Sequence, residues 1–383
     1  MIRIGITSFG TDNGKSGIGS YLRELLIRFD SDTYAEEFSF ELIGPKEDRD
    51  HYLEGKKNIS WYQVESADRH PIHNFIWNQF SLPKICKKQK YDLLFLPAAN
   101  RRLTGRAPCP TIGTVHDLAS LHIKNKYNFS HKIFNEMMLP KLIHGLDQII
   151  TVSQFSKDDI VHFAHVPENR ITVIHLAADK NTFSPVKNRK ASAVRVSEKY
   201  GFSAPYILYI SRLEHPGKNH VTLIKAFEKF RNEHPAPFRL VLPGPDKERA
   251  EEIHRAAEQS PYCSDIVFPG FIDAEDLPDF YRGAELFVLP SYFEGFGLPV
   301  LESMACGTPV ITSTSASLPE VSGPHTPHFD PADSEKMKNS MLQAIGNENN
   351  RESLSSAGLQ WAAGFSWEKT TEETLKIFRN MLS

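Results

Sequence analysis

Leu286-Phe287-Val288-Leu289-Pro290-Ser291-Tyr292-Phe293-Glu294-Gly295-Phe296-Gly297-Leu298-Pro299-Val300-Leu301-Glu302 reads as a buried strand, a glycine-containing loop and the start of a helix. Four apolar residues without polar alternation fit a strand covered on both faces, the habit of parallel sheets. Gly295 and Gly297 let the backbone approach a ligand closely. Pro299 suits a first helical turn, and Gly307 is a stop for a helix over Leu298–Ala305. Ligands of open α/β sheets bind beyond the carboxyl ends of the strands, so this loop is where chemistry is expected.

The same rhythm recurs on both sides of it. Upstream in the second half, strands are expected at Tyr206–Ile210, Arg239–Leu242 and Asp265–Phe268, and downstream at Pro309–Thr312, with helices at Asn219–Phe230 and Ala274–Arg282. The first half repeats the alternation, with strands at Ile2–Ser8, Phe38–Ile43, Leu93–Leu96, Thr111–Val115, Gln148–Val152 and Thr172–Ile174. Helices there are Tyr21–Phe29 and Phe134–Leu146, and a third opens near Phe155 with Ser153 as its N-cap. Strands alternating with helices predict two doubly wound α/β domains, 1–178 and 190–366, with the default binding site in a cleft between them. Three helical stretches, near Ser334–Ile345, Arg351–Ala363 and Glu368–Leu382, end the chain.

The 383 residues suffice for two to three domains at about 150 residues each. At 40% hydrophobic and 24% charged residues, the composition is that of a globular protein rather than a disordered or membrane-embedded one. A formal charge of −3 argues against a general nucleic-acid binder. Cys86, Cys109, Cys263 and Cys306 show neither CxxC pairs nor zinc spacing, which fits a reducing compartment. With no run of about 20 apolar residues and no signal-peptide pattern at Met1–Ile6, a soluble cytoplasmic protein is expected.

Three further places carry chemistry beside the Glu294–Glu302 stretch. Gly10-Thr11-Asp12-Asn13-Gly14-Lys15-Ser16-Gly17-Ile18-Gly19 is a glycine-rich loop before a helix, suited to an anion. It is neither a P-loop, which needs four residues where Gly10 to Gly14 encloses three, nor a dinucleotide fingerprint, which needs a small residue at Leu22. Thr114-Val115-His116-Asp117 ends a strand with two titratable groups that a cleft would expose. Arg212 and Lys218 share one loop after a strand, with Asn219 as the N-cap of the next helix, and together they can neutralise a diphosphate. Glu294 and Glu302 are placed to accept hydrogen bonds from sugar and ribose hydroxyls.

With these residues in view, the sequence resembles the retaining, nucleotide-sugar-dependent glycosyltransferases of family 4, which have the GT-B fold of two Rossmann-like domains facing a central cleft. The resemblance covers nearly the whole chain. It is strongest at the E-x7-E motif, Glu294 to Glu302, continued by Met304-Ala305-Cys306-Gly307-Thr308-Pro309-Val310 and Leu318-Pro319-Glu320. It implies that Glu294 contacts the donor sugar beside the backbone of Gly295, Phe296, Gly297 and Leu298, and that Glu302 holds the ribose. Arg212 and Lys218 would hold the diphosphate, Gly17 would border it, His116 would lie beside the transferred sugar, and Phe271 and Ile272 would flank the base. Residues after about 367 would return to the first domain. Ile174-His175-Leu176-Ala177-Ala178-Asp179 departs from the Pro-Asn-Gly stretch that many members carry before the linker.

The implied reaction is retaining hexosyl transfer without a metal or other cofactor, from UDP-glucose or a related UDP-hexose first and GDP-mannose next, to a saccharide or lipid-linked saccharide in polysaccharide biosynthesis. Asp48-Arg49-Asp50 matches the Asp-x-Asp string of metal-dependent enzymes of other folds, but is read as a solvated loop. A sugar-nucleotide epimerase and a non-catalytic sugar-nucleotide scaffold are the rival readings. Lys84, Lys87, Lys88, Lys90, Arg101, Arg102 and Arg106 stand against Asp92 alone, a cluster that would suit anionic lipid at the inner face of a membrane or a solvated surface equally.

Overall fold

The computed structural model describes residues 1–14, 16–65, 75–122, 138–203 and 205–383. The chain divides into two compact units, one formed by Met1–Leu176 with Trp367–Ser383, the other by Ala177–Ser366.

The first unit holds a sheet of seven strands, β1 (Ile2–Thr7), β2 (Phe38–Gly44), β3 (Ile59–Gln63), β4 (Leu93–Leu96), β5 (Thr111–Val115), β6 (Gln148–Thr151) and β7 (Ile171–Val173), in the order β3-β2-β1-β4-β5-β6-β7. All pairings are parallel. The strand order reverses between β1 and β4, which opens a crevice beyond their carboxyl ends. β4 and β5 are buried at every residue, and in β4 that burial is written as an unbroken apolar run, Leu93–Leu96. Edge strand β3 escapes the sequence reading because Ser60 and Gln63 are exposed and Trp61 and Tyr62 half-buried, so its apolar signal is diluted.

Helix Trp367–Leu382 packs on this unit. Trp367, Thr370, Thr371, Thr374, Leu375, Ile377 and Phe378 form its buried face, at helical spacing. The Phe378 ring lies 5.2 Å from Phe95 and 6.2 Å from Phe29, and Phe29 stacks on Phe40 at 4.5 Å. Arg379 forks onto both carboxylate oxygens of Glu37 at 2.8 Å, the bidentate geometry that gives an arginine pair its direction.

The second unit repeats the winding with β8 (Tyr206–Leu208), β9 (Arg239–Val241), β10 (Ile266–Val267), β11 (Leu286–Leu289), β12 (Val310–Ser313) and β13 (His328–Phe329), ordered β10-β9-β8-β11-β12-β13 and parallel throughout. Here the order reverses between β8 and β11. The two-residue β13 at the edge gives no periodic signal and is absent from the sequence expectations.

Several expectations are corrected. Asp48-Arg49-Asp50 is not a solvated loop: it lies in helix Lys46–Leu53, where Asp48 is buried and its Oδ2 accepts from Ser8 Oγ at 2.6 Å, while Asp50 is exposed. Residues two apart on a helix do not face each other, so the two carboxylates are not a pair. Asn219 stands at the N-cap position of helix His220–Glu233 without capping it, because its amide reaches the carbonyls of Pro290 and Pro331 at 2.9 and 2.7 Å. Helix Ala274–Arg282 begins only at Leu277. Of the helix expected over Phe134–Leu146, residues 134–137 lie outside the described residues, and Leu139–His144 is helical. Cys86, Cys109, Cys263 and Cys306 are free thiols, Cys86 and Cys306 buried.

Candidate active site

In the second unit, the reversal of strand order brings the loop after β8 beside the loop after β11. That crossover is what joins Lys218 to Glu294, 76 residues apart, with Nζ 2.7 Å from Oε1. Ser291 Oγ donates to the same oxygen at 2.7 Å. Behind them Tyr209, at the end of β8, puts its hydroxyl 2.9 Å from the Lys218 carbonyl and 3.1 Å from Ser291 Oγ. Burial drives the Tyr209 phenol far above its usual range, so it remains a neutral strut.

The Glu294 loop is pinned from its other side. Ser317 Oγ lies 2.8 Å from the Glu294 carbonyl and 3.0 Å from that of Phe296. Gly297 adopts φ +100, a left-handed conformation that other residues rarely take, so glycine is required there by conformation. Helix Leu298–Ala305 follows with Pro299 in its first turn. Its dipole places partial positive charge at Leu298, on the same loop as the Lys218–Glu294 pair.

Arg212 is about half exposed and its Nη2 lies 3.4 Å from buried Glu214 rather than on Glu294. Phe271 is 69% exposed and Ile272 is buried, following Gly270 at φ +76. Glu302 is half-buried in the second turn of helix Leu298–Ala305, where its Oε2 accepts from Tyr281 OH at 2.7 Å. Burial pushes its carboxyl up to about 7, against the opposing pull of that hydrogen bond. Tyr209, Glu214, Tyr281, Ser291 and Ser317 carry this arrangement and were not singled out from sequence. For Tyr209 and Ser291 the signal was their position at strand ends.

In the first unit, Gly17 opens helix Gly17–Phe29 just after its N-cap Ser16, whose Oγ accepts from Gly19 N at 3.4 Å. A Cβ on Gly19 would meet Gly14 Cα at 2.4 Å, so the loop folds directly onto the helix. Arg23 donates to the Gly14 carbonyl at 3.1 Å, and Arg101 to the Gly10 carbonyl at 3.0 Å and to Asp12. From below, Thr11 Oγ1 donates to the Ser8 carbonyl at 2.6 Å and accepts from Tyr52 OH at 2.7 Å.

His116 follows β5, but it is 6% exposed rather than open to a cleft. Its Nε2 lies 2.9 Å from the Pro97 carbonyl, which only accepts, so Nε2 carries the proton and Nδ1 is the acceptor. Burial holds the ring down to about 4, hence neutral at physiological pH. Tyr21 meets its ring edge-on at 5.0 Å and fixes the orientation. A neutral imidazole with an acceptor nitrogen can receive a hydroxyl hydrogen bond and cannot supply a cation.

The family models agree with these two halves. Residues 16–181 match "Glycosyltransferase Family 4" and residues 196–361 match "Glycosyl transferases group 1". An O-antigen chain mannosyltransferase B of Escherichia coli is 31% identical over 274 residues, 70% of each chain. A serotype-specific mannosyltransferase WbdA of the same species is 30% identical over 72% of this chain and 34% of its own. Among solved structures, sucrose-phosphate synthase of Thermosynechococcus elongatus has a TM-score of 0.78 at 18% identity, covering 100% of this chain and 99% of its own. HepE of Anabaena in complex with UDP-glucose has 0.76 at 16%, covering 99% and 100%. Both are likenesses of fold, and both bear out the GT-B architecture of two Rossmann-like sheets. By its sequence relatives and by both family models, the chain belongs to the group 1, family 4 glycosyltransferases.

Proposed function

We propose that the enzyme transfers mannose from GDP-mannose, with retention and without a metal, to a saccharide or lipid-linked saccharide during assembly of a surface polysaccharide. Mannose moves ahead of UDP-glucose because the relatives at 31% and 30% identity are named mannosyltransferases. The observation that carries the transferase chemistry is the Lys218–Glu294 contact on the loops after β8 and β11.

In this reading Glu294 accepts from donor-sugar hydroxyls, with the backbone of Gly295, Phe296 and Gly297 alongside. Lys218, Arg212 and the helix terminus at Leu298 oppose the negative charge that grows on the departing phosphate. Glu302 accepts from the ribose, Phe271 and Ile272 flank the base, and Gly17 borders the diphosphate. The bond from the sugar C1 to the phosphate oxygen breaks as the bond to the acceptor oxygen forms on the same face, and the acceptor proton passes to the departing phosphate. His116 orients sugar hydroxyls through Nδ1. Epimerisation would instead need a base that removes a proton from a sugar carbon, and neutral His116 and salt-bridged Glu294 are poorly suited to that.

The donor is tested by thermal shift with UDP, GDP, ADP and their hexose conjugates, with and without EDTA, since a ligand of the native state raises the melting temperature. A shift with GDP and GDP-mannose that survives EDTA is expected. A shift with UDP-glucose alone would overturn the sugar and base, and one abolished by EDTA the metal independence.

His116→Ala is expected to lower kcat about 10-fold, the scale for losing one neutral hydrogen bond. Because His116 is already neutral, the wild-type rate should show no inflection from it between about pH 5.5 and 8. Wild-type turnover by the variant would remove His116 from the reaction.

A further inference from the structure

The basic cluster seen in the sequence is two clusters in the fold. Arg101 turns to the glycine-rich loop, bonding Asp12 and the Gly10 carbonyl. Lys84, Lys87, Lys88 and Lys90 are instead exposed along and just after helix Leu82–Gln89. That helix continues a π-helical stretch, Trp77–Ser81, and on the same run Ile76 and Phe80 are 48% and 64% exposed. Positions 76, 80, 84, 87 and 88 follow one another at intervals of three or four, or adjoin, so they form one outward stripe, apolar at its start and cationic at its end. No Asp or Glu occurs between residues 75 and 91.

The inward face holds this stripe in place. Asn78, Leu82 and Cys86 are buried, and Leu82 and Cys86 join Phe9, Leu94 and Leu96 in one core cluster. Trp77 packs against Phe9 at 4.8 Å. Thr104 Oγ1 donates to the Asn78 carbonyl at 2.9 Å, and Gln79 Nε2 to the Leu103 carbonyl at 2.9 Å. A helix anchored in this way cannot roll its phenyl ring inward, and a large ring displayed beside four lysines needs an occupant that is apolar and anionic together.

We propose that this stripe, Ile76 and Phe80 with Lys84, Lys87, Lys88 and Lys90, docks the enzyme on an anionic lipid bilayer, the aromatic and aliphatic side chains entering the headgroup boundary and the lysines meeting lipid phosphates. Either signal alone binds a membrane weakly, whereas an apolar insertion next to a polybasic run gives stable but reversible association. The inference extends the acceptor side of the proposed function, where a lipid-linked saccharide would be met at that surface. It uses none of the donor contacts.

The test is cosedimentation of the full chain with phosphatidylcholine vesicles, with and without phosphatidylglycerol, at low and high salt. Wild-type protein should bind only the anionic vesicles, with a salt-sensitive affinity. Lys84→Gln/Lys87→Gln/Lys88→Gln and Ile76→Ser/Phe80→Ser should each weaken binding by about 10-fold or more, while the donor-induced melting shift and turnover of a water-soluble acceptor remain at wild-type level. Phe80→Trp should show a blue-shifted emission with anionic vesicles alone. Absence of wild-type binding, binding indifferent to both sets of substitutions, or a solution dimer abolished by Phe80→Ser would overturn the proposal, the last by making a second copy the occupant. Vesicle binding and donor binding are read separately, so failure of one leaves the other standing.

Discussion

Lys218→Met is expected to lower kcat by about 10²- to 10³-fold with a smaller change in donor KM, the loss found when one preorganised charge stabiliser is removed from a transition state. The ammonium already sits 2.7 Å from Glu294, on the loop neighbouring the helix terminus at Leu298. It therefore needs little reorganisation when charge grows on a leaving phosphate. The substitution also leaves Glu294 with Ser291 as its remaining side-chain donor in this pair, at a cost to stability of about 1–2 kcal/mol, between the values for exposed and buried pairs. A double variant with Glu294→Gln separates the two roles. If Lys218 faces phosphate and Glu294 faces sugar, their effects on kcat approach additivity. A double variant no slower than the slower single one would reduce Lys218 to a prop for Glu294.

Glu302→Gln is expected to change stability and donor affinity in opposite directions. Burial raises the Glu302 carboxyl from an ordinary 4.5 to about 7, so between those values the native state binds a proton that the unfolded chain has released. Stability therefore falls as pH rises through this window. Above it the protein carries the full cost of a half-buried carboxylate, up to about 3 kcal/mol. Glutamine removes that cost, so the variant should melt higher than wild type at pH 8 and close to it at pH 5. If Glu302 accepts from the ribose, the same change should weaken the donor about 10- to 100-fold, the value of hydrogen bonds to a charged acceptor. Wild-type donor affinity should then rise with pH through about 7, with uptake of a proton on release of the donor. Calorimetric melting and donor titration at the two pH values check both halves. A variant that melts lower at pH 8, or binds donor as tightly as wild type, contradicts the account.

Such a residue is a local conflict that the fold tolerates: a carboxyl set where burial opposes its charge. Tyr281 relieves part of the conflict by donating at 2.7 Å. Asp48 is a second such carboxyl, raised by burial and bonded to Ser8, and its Oδ1 has no hydrogen-bond partner among the described residues. Ser8 is also the residue whose carbonyl receives Thr11, so the carboxyl is linked to the glycine-rich loop of the first unit.

What was legible in the sequence was local. β4 and β11 are buried along their whole length, so an unbroken apolar run located each of them to the residue. Helix Leu298–Ala305 was bounded by Pro299 inside its start and Gly307 beyond its end, and Gly307 takes φ +77 as a left-handed terminator requires. The loops after these strands could be named as carrying chemistry because parallel topology directs ligands there. Edge strands β3 and β13 were not legible, since Ser60 and Gln63 of β3 are exposed and β13 offers a single apolar residue, Phe329, where equally short β10 offers Ile266 and Val267.

The tertiary structure alone decided which side chains act together. Lys218 and Glu294 meet because strand order reverses between β8 and β11, a property of crossovers that no window of sequence contains. Asp48 looked solvated among charged neighbours until a helix turned it against Ser8, and His116 looked exposed until its ring found the Pro97 carbonyl. Seven basic residues looked like one patch, but β4 runs between Lys90 and Arg101, taking Arg101 to the glycine-rich loop and leaving the lysines along the helical run that carries Phe80. Periodicity and glycine or proline chemistry act over a few residues and so determined the elements of this protein. Charge pairing and burial depend on distances set by the packing of those elements, and so were decided only in the folded chain.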